Sequence, residues 1–185
     1  MPLYAKPVPG DYAEYYQKYL DKVDPAATDV LALMKAQGLV MLKFLRGLTE
    51  EQADYRYAPG KWSVKDIVGH IVDMERVFIF RALWIGRGEK QTQPGVDEDM
   101  WAAASNAGSR PIAALWREHH VAKTNHLYIL KSLDPSVISR VGICDDRPVS
   151  LSAIPWIMAG HERHHMDVLE ERYGFKIDWE TDSIY

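Results

Sequence analysis

Seven histidines are the residues of this chain best suited to chemistry, and His161 and His165 stand at H-x3-H spacing in GHERHHMDVL. On a helix that spacing puts two imidazoles about 6 Å apart along one face, where they can chelate one ion. Projected at about 100° per residue from His161, the apolar Ile154, Ile157, Met158 and Val168 lie within about 60° either side, and His165 near 40°. Both histidines are therefore centred on the apolar stripe. His164 falls at its edge, Arg163, Asp167 and Glu170 on the far side, and Glu162, near 100°, reads as a solvated flank with no catalytic role. The same projection from His70 places Ile67, Met74, Val77 and Trp84 around it and Arg81 near 20°, so His70 and Arg81 also point inward.

A buried imidazole needs partners for both nitrogens, and one divalent cation satisfies three converging rings together. Three ligands leave coordination positions open, as catalysis requires, whereas structural zinc is closed by four ligands, often thiolates. Cys144 is the only thiol. Against this, a lone inward histidine is more often a satisfied core residue, and H-x3-H alone does not decide the matter. His119 and His126 share the apolar face of their helix but lie about 10.5 Å apart along its axis, too far to chelate one ion as a pair. They read as core or pocket residues, either able to supply a single ligand or a bond to one. Arg81 reads as one half of a salt bridge to a carboxylate of the long loop that follows it, or as a group orienting an anionic substrate.

Four long helices must position these groups. Apolar residues at helical spacing mark the first from about Ala27 to Leu48 and the second from Val64 to about Ile85, with Ser63 and Asp66 as a capping box. The third runs from Pro111 to Leu133, and the fourth from between Ser150 and Ser152 to Tyr173, with Pro155 in its first turn and Gly174 as its stop. The stretch 86–110 is long for a connection and holds a short helix in DEDMWAAASN. Residues 1–26 form an N-terminal extension whose DYAEYYQKYL is a short helix at most; its tyrosines need a surface to lie on. SVISRVGICDDRPVS reads as loop and residues 175–185 as a tail. The expectation is an all-α, single-domain four-helix bundle over 1–185, with short extra helices in the N-terminal extension and the loop.

A formal charge of −4 gives no basic field for nucleic acid or anionic membrane, and no apolar run reaches the roughly 20 residues of a membrane span. A single cysteine and an N-terminus without an apolar signal core point to the cytoplasm, with small molecules as partners.

KWSVKDIVGHIVDMERVFIFRALWIGRGE and VSLSAIPWIMAGHERHHMDVLEERYG resemble the two signature helices of the DinB-like superfamily, and PGDYAEYYQKYL, DYRYAPGKWS and ERYG extend the resemblance over nearly the whole chain. It implies an up-down-down-up bundle, often dimeric, with a divalent ion, usually zinc or nickel, on His70, His161 and His165. A homodimer is therefore expected, since the tyrosines of the extension would otherwise expose a large apolar patch. Lys123 stands where relatives often have arginine. Some relatives are transferases that use a low-molecular-weight thiol, so the leading expectation is a metal-dependent transferase in which the ion activates a cosubstrate thiol against a small electrophile. The alternatives are a hydrolase using hydroxide on the same ion, with a loop carboxylate such as Asp97 or Asp99 as base, and a stress-response module that binds metal without turnover. Cys144 reads as a bystander.

Overall fold

Ser63 starts the helix that carries the first candidate ligand. Its hydroxyl accepts from the Asp66 amide, and the Asp66 carboxylate accepts in return from the Ser63 amide and hydroxyl. In the computed structural model, which describes residues 2–179, this helix is α4, Val64–Gly86. The other long helices are α2, Val30–Arg46, α6, Ile112–Lys131, and α7, Ala153–Glu171. Short helices α1, Gln17–Leu20, α3, Glu50–Asp54, and α5, Glu98–Ala104, lie between and before them. α2 begins later than expected because Asp29 caps it, accepting from the amides of Leu31 and Ala32.

α6 and α7 each pack against both α2 and α4. The Ile112 amide donates to Glu50 just beyond the end of α2, and the Tyr173 hydroxyl donates to the carbonyl of Trp62 just before α4. The rings of Phe44 and Phe175, each at the end of its helix, meet at 5.4 Å. α2 and α7 therefore run one way and α4 and α6 the other, the expected up-down-down-up course.

The apolar core is in two parts. One gathers Met34, Phe78, Leu130 and Trp156; the other gathers Met41, Ile67, Leu115 and Met166. Each such side chain contributes about 1.5–3 kcal/mol on burial. Between them lies a buried polar layer of Gln37 from α2, His70 and Glu75 from α4, His119, Lys123 and His126 from α6, and His161 and Glu162 from α7. The bundle is tied across its middle by polar groups and sealed above and below by apolar ones.

Three expectations need correction. The stretch 136–150, read as loop, contains a β-hairpin: β1, Val141–Cys144, pairs antiparallel with β2, Arg147–Ser150. Asp145 and Asp146, both in the left-handed region at φ 54° and 55°, make its two-residue turn. The tail is no appendage as far as it is described, since Ile177 is buried and Phe175 and Trp179 pack on the core; residues 180–185 lie outside the described residues. Tyr4, Tyr16 and Tyr19 are buried within the chain itself and so give no ground for a second copy. α1 reaches α7 closely because Gly160 has no side chain; a Cβ there would stand 2.0 Å from the Tyr19 carbonyl oxygen. Among the described residues no helix is long and apolar enough to cross a membrane.

Candidate metal centre

His70 projects from the second turn of α4 and His161 and His165 from the middle of α7, the helices that run antiparallel beside each other. Their Nε2 atoms converge: His161 Nε2 lies 3.2 Å from Nε2 of His70 and 3.2 Å from Nε2 of His165. One ring nitrogen carries either a proton or a lone pair, so it cannot satisfy both contacts. A cation at their centre can. Tetrahedral ligation with metal–nitrogen bonds of about 2.0–2.1 Å sets neighbouring nitrogens about 3.3 Å apart, close to the spacing seen. The three residues that the sequence singled out are the three brought together, and their ligand atoms all lie within 4.8 Å of one another. His164 is not among them; its ring meets that of Tyr19 edge to face, with centroids 5.9 Å apart.

The rings are neutral. Burial, with a smaller contribution from His164, holds the His70 imidazole down to about 4. Burial and then the neighbouring histidines push His161 and His165 well below the ordinary range. Neutral imidazoles with free lone pairs are what ligation requires. Aromatic rings flank the cluster, with Trp62 4.8 Å from His70 and Tyr19 5.1 Å from His161 between centroids.

On one side the centre opens. His165 lines a cleft of about 320 Å³ with Tyr57, Trp62, Tyr173 and Asp99. Trp62 and Asp99 also border an adjoining depression of about 570 Å³. Trp62 stands here, whereas Trp101 borders another groove and Trp84 donates to the Gln91 carbonyl.

A second cluster crosses the same layer. Lys123 donates to Glu75 and, at 3.0 Å, to Glu162. His119 Nε2 lies 2.8 Å from Glu162 and His126 Nδ1 3.1 Å from Glu75. Glu75, His119 and Glu162 could hold a cation by geometry, but the Lys123 ammonium already stands between the carboxylates. Burial pulls Lys123 down, but Glu162 and Glu75 outweigh it and keep it charged.

Glu162 is thus a correction: it is fully buried rather than solvated. The available signal was AIPWIMAG, which lacks any charged residue through two turns and so marks a helix enclosed on all sides. His119, Lys123 and His126, at spacings of four and three, share one face of α6 and form the other half of the signal. Arg81 is a second correction. It makes no ion pair with a loop carboxylate, and its Nη2 donates to the Pro94 carbonyl at 3.4 Å. Cys144 is fully buried, and burial raises its thiol pKa, as suits a bystander.

Residues 32–169 match the sequence profile of the DinB superfamily. A protein of Geobacillus thermodenitrificans named "Putative metal-dependent hydrolase" is 25% identical over 122 residues, 64% of this chain and 68% of that one. The fold is similar to that of YfiT from Bacillus subtilis, described as a probable metal-dependent hydrolase with an unusual four-helix bundle topology. The TM-score is 0.63 at 18% identity, over 92% of this chain and 94% of YfiT. With three quarters of its length in the profile and the same bundle, this chain belongs to the DinB superfamily.

Proposed function

We propose that the protein is a metal-dependent enzyme in which one divalent ion, zinc or nickel, sits on His70, His161 and His165 and activates a nucleophile for attack on a small electrophile. The observation that carries this is the convergence of three neutral Nε2 atoms at 3.2 Å contacts on His161. A divalent ion held there supplies Lewis acidity, which brings the pKa of coordinated water or thiol to neutrality or below.

The chain's own residues favour water as that nucleophile. Asp97 is committed to capping α5, accepting from the Met100 amide at 2.9 Å. Asp99 is free of that duty and lines the cleft with His165, where it can take a proton from water and return it to a leaving group. Trp62, Tyr57 and Tyr173 exclude bulk water from the histidines and give an apolar substrate a surface to lie on. The names of the two similar proteins support hydrolysis as well. Thiol transfer is the second reading. The cleft and its adjoining depression have room for a cosubstrate beside the electrophile, and with Cys144 buried a thiol nucleophile must come from outside.

Elemental analysis of protein purified without added metal tests the ion: about one per chain is expected, lost in His70→Ala and His161→Ala. Wild type without metal, or variants that keep it, would end the proposal. Metal-loaded protein is then assayed on small esters and amides with and without added thiol. Thiol-independent cleavage supports water as nucleophile, thiol-dependent consumption of an electrophile supports transfer, and metal binding without turnover leaves a binding module.

A further inference from the structure

Among the described residues, buried charges have opposite charges beside them, with one exception. Lys65 pairs with Glu50 and Asp54 at 2.7 and 2.8 Å, and Lys123 serves both Glu75 and Glu162. Arg81 is only 5% exposed, yet among the described residues no carboxylate lies within ion-pair distance of it. Its one hydrogen bond, to Pro94, is at the long limit, and its Nε–H has no partner. A buried, unpaired guanidinium is costly to maintain.

The surroundings say what is missing. Arg81 separates two spaces. Inward is a cavity of about 40 Å³ that it shares with His161, Phe78, Tyr16 and Tyr19. Outward is an apolar groove of about 450 Å³ that it shares with Gln93, Val77 and Phe80. The Gln93 amide Nε2, also buried, lacks an acceptor too. Two donors and one positive charge are unmet here. The other charged groups on the inner wall do not answer them, since Arg147 and Asp145 pair with each other and Glu98 makes no ion pair. What the position lacks is an anionic acceptor. A cavity of about 40 Å³ holds about three or four waters or a single carboxylate head, at roughly 10–15 Å³ per water, and the fork of a guanidinium matches a carboxylate.

We propose that Arg81 anchors the carboxylate of a small substrate in the cavity beside His161. This rests on the metal-centre reading for its role, since the anchor would set the substrate's distance from the ion. The binding itself needs no metal. It narrows the substrate class to small molecules with a free carboxylate and an apolar body.

Formate and acetate are the probes. Titrated into 15N-labelled protein, metal-free and zinc-loaded, either should give a saturable shift of the Arg81 Nε–H signal in both forms. Arg81→Met should weaken binding, read by calorimetry, at least about tenfold, whereas Arg147→Gln should change it less than about twofold. No saturable shift, or binding in Arg81→Met equal to wild type, would overturn the proposal; the wild-type titration stands even if that variant does not fold. Glu98→Gln tests the rival partner. If that substitution alone moves the Arg81 signal and formate adds nothing in wild type, Glu98 fills the role and the anchor is rejected. Formate binding in a protein that takes no metal would leave the anchor standing while the metal reading fails, and metal without formate binding would do the reverse.

Discussion

The two histidine clusters share one layer of the bundle and nearly the same burial, yet they are opposite in kind. Around Lys123 the groups are anionic, and the chain supplies the cation from its own α6. Around His161 the groups are neutral donors with no cation of their own, and one edge opens to a cleft. The first cluster is balanced in charge as folded, although the His119 Nδ1 atom has no hydrogen-bond partner. The second gathers lone pairs that the proposed ion would satisfy, and that separates a structural tie from a candidate site.

The comparison breaks most severely at Lys123. Lys123→Met leaves two buried carboxylates facing each other and should cost about 3–5 kcal/mol in urea unfolding. A loss under about 1 kcal/mol would mean the network is not the tie described here. The same variant sharpens the comparison through pH. Burial pushes the Glu75 carboxyl up, but Lys123 and the bond to His126 outweigh it and hold it below the usual carboxylate range. Its contribution to stability is therefore complete above the unfolded value, about 4.3, and is lost as pH falls through the lower folded value. Without the ammonium, burial prevails and the folded value rises. Unfolding curves across pH should show wild type losing stability as pH falls below about 4.3, whereas Lys123→Met should gain stability as pH falls through its raised carboxyl value.

A subtler break is Gly38→Ala. A Cβ there would stand 2.8 Å from Cγ of Lys123, and that side chain cannot yield because both carboxylates hold its end. The expected cost is about 1–3 kcal/mol, read as a lower thermal midpoint. Smallest of all is His164→Ala. Its ring lies beside His165 but outside the converging set, so metal content should stay within about twofold of wild type in the elemental analysis. Loss of the ion on that substitution would place the site one residue away from where it is drawn here.

Much of this was legible in the residues. The Ser63–Asp66 box set the start of α4, and the apolar stripes chose His70, His161 and His165 because an imidazole turned inward among aliphatic groups must be satisfied there. The hairpin was hidden because its turn is Asp145–Asp146. Aspartates seldom take left-handed backbone in succession, and the usual glycine signal is absent. Glu162 was misread because projection tells which face a residue is on but not how many neighbours surround the helix. α7 is enclosed over its first half, so no flank there is solvated. Arg81 was correctly turned inward, but its partner was sought in a nearby carboxylate when the fold provides none.

The parallel course of α4 and α6 has a consequence for how such a protein can change. The 23 residues of α4 span about 35 Å, and the chain must travel back along that length between Gly86 and Ile112 before α6 can begin. That return passes over the cleft and the groove, contributing Asp99, Gln93 and Val96 to their walls. The three imidazoles sit on helices fixed by the core, whereas part of the walls belongs to this connecting segment, in which Ala107 packs in the core and Asp99 is exposed. Changing the exposed wall residues of that segment, such as Asp99, while keeping its buried Ala102 and Ala107, is thus a way to retarget the cleft with the three imidazoles left in register, a division of labour that leaves specificity free to drift.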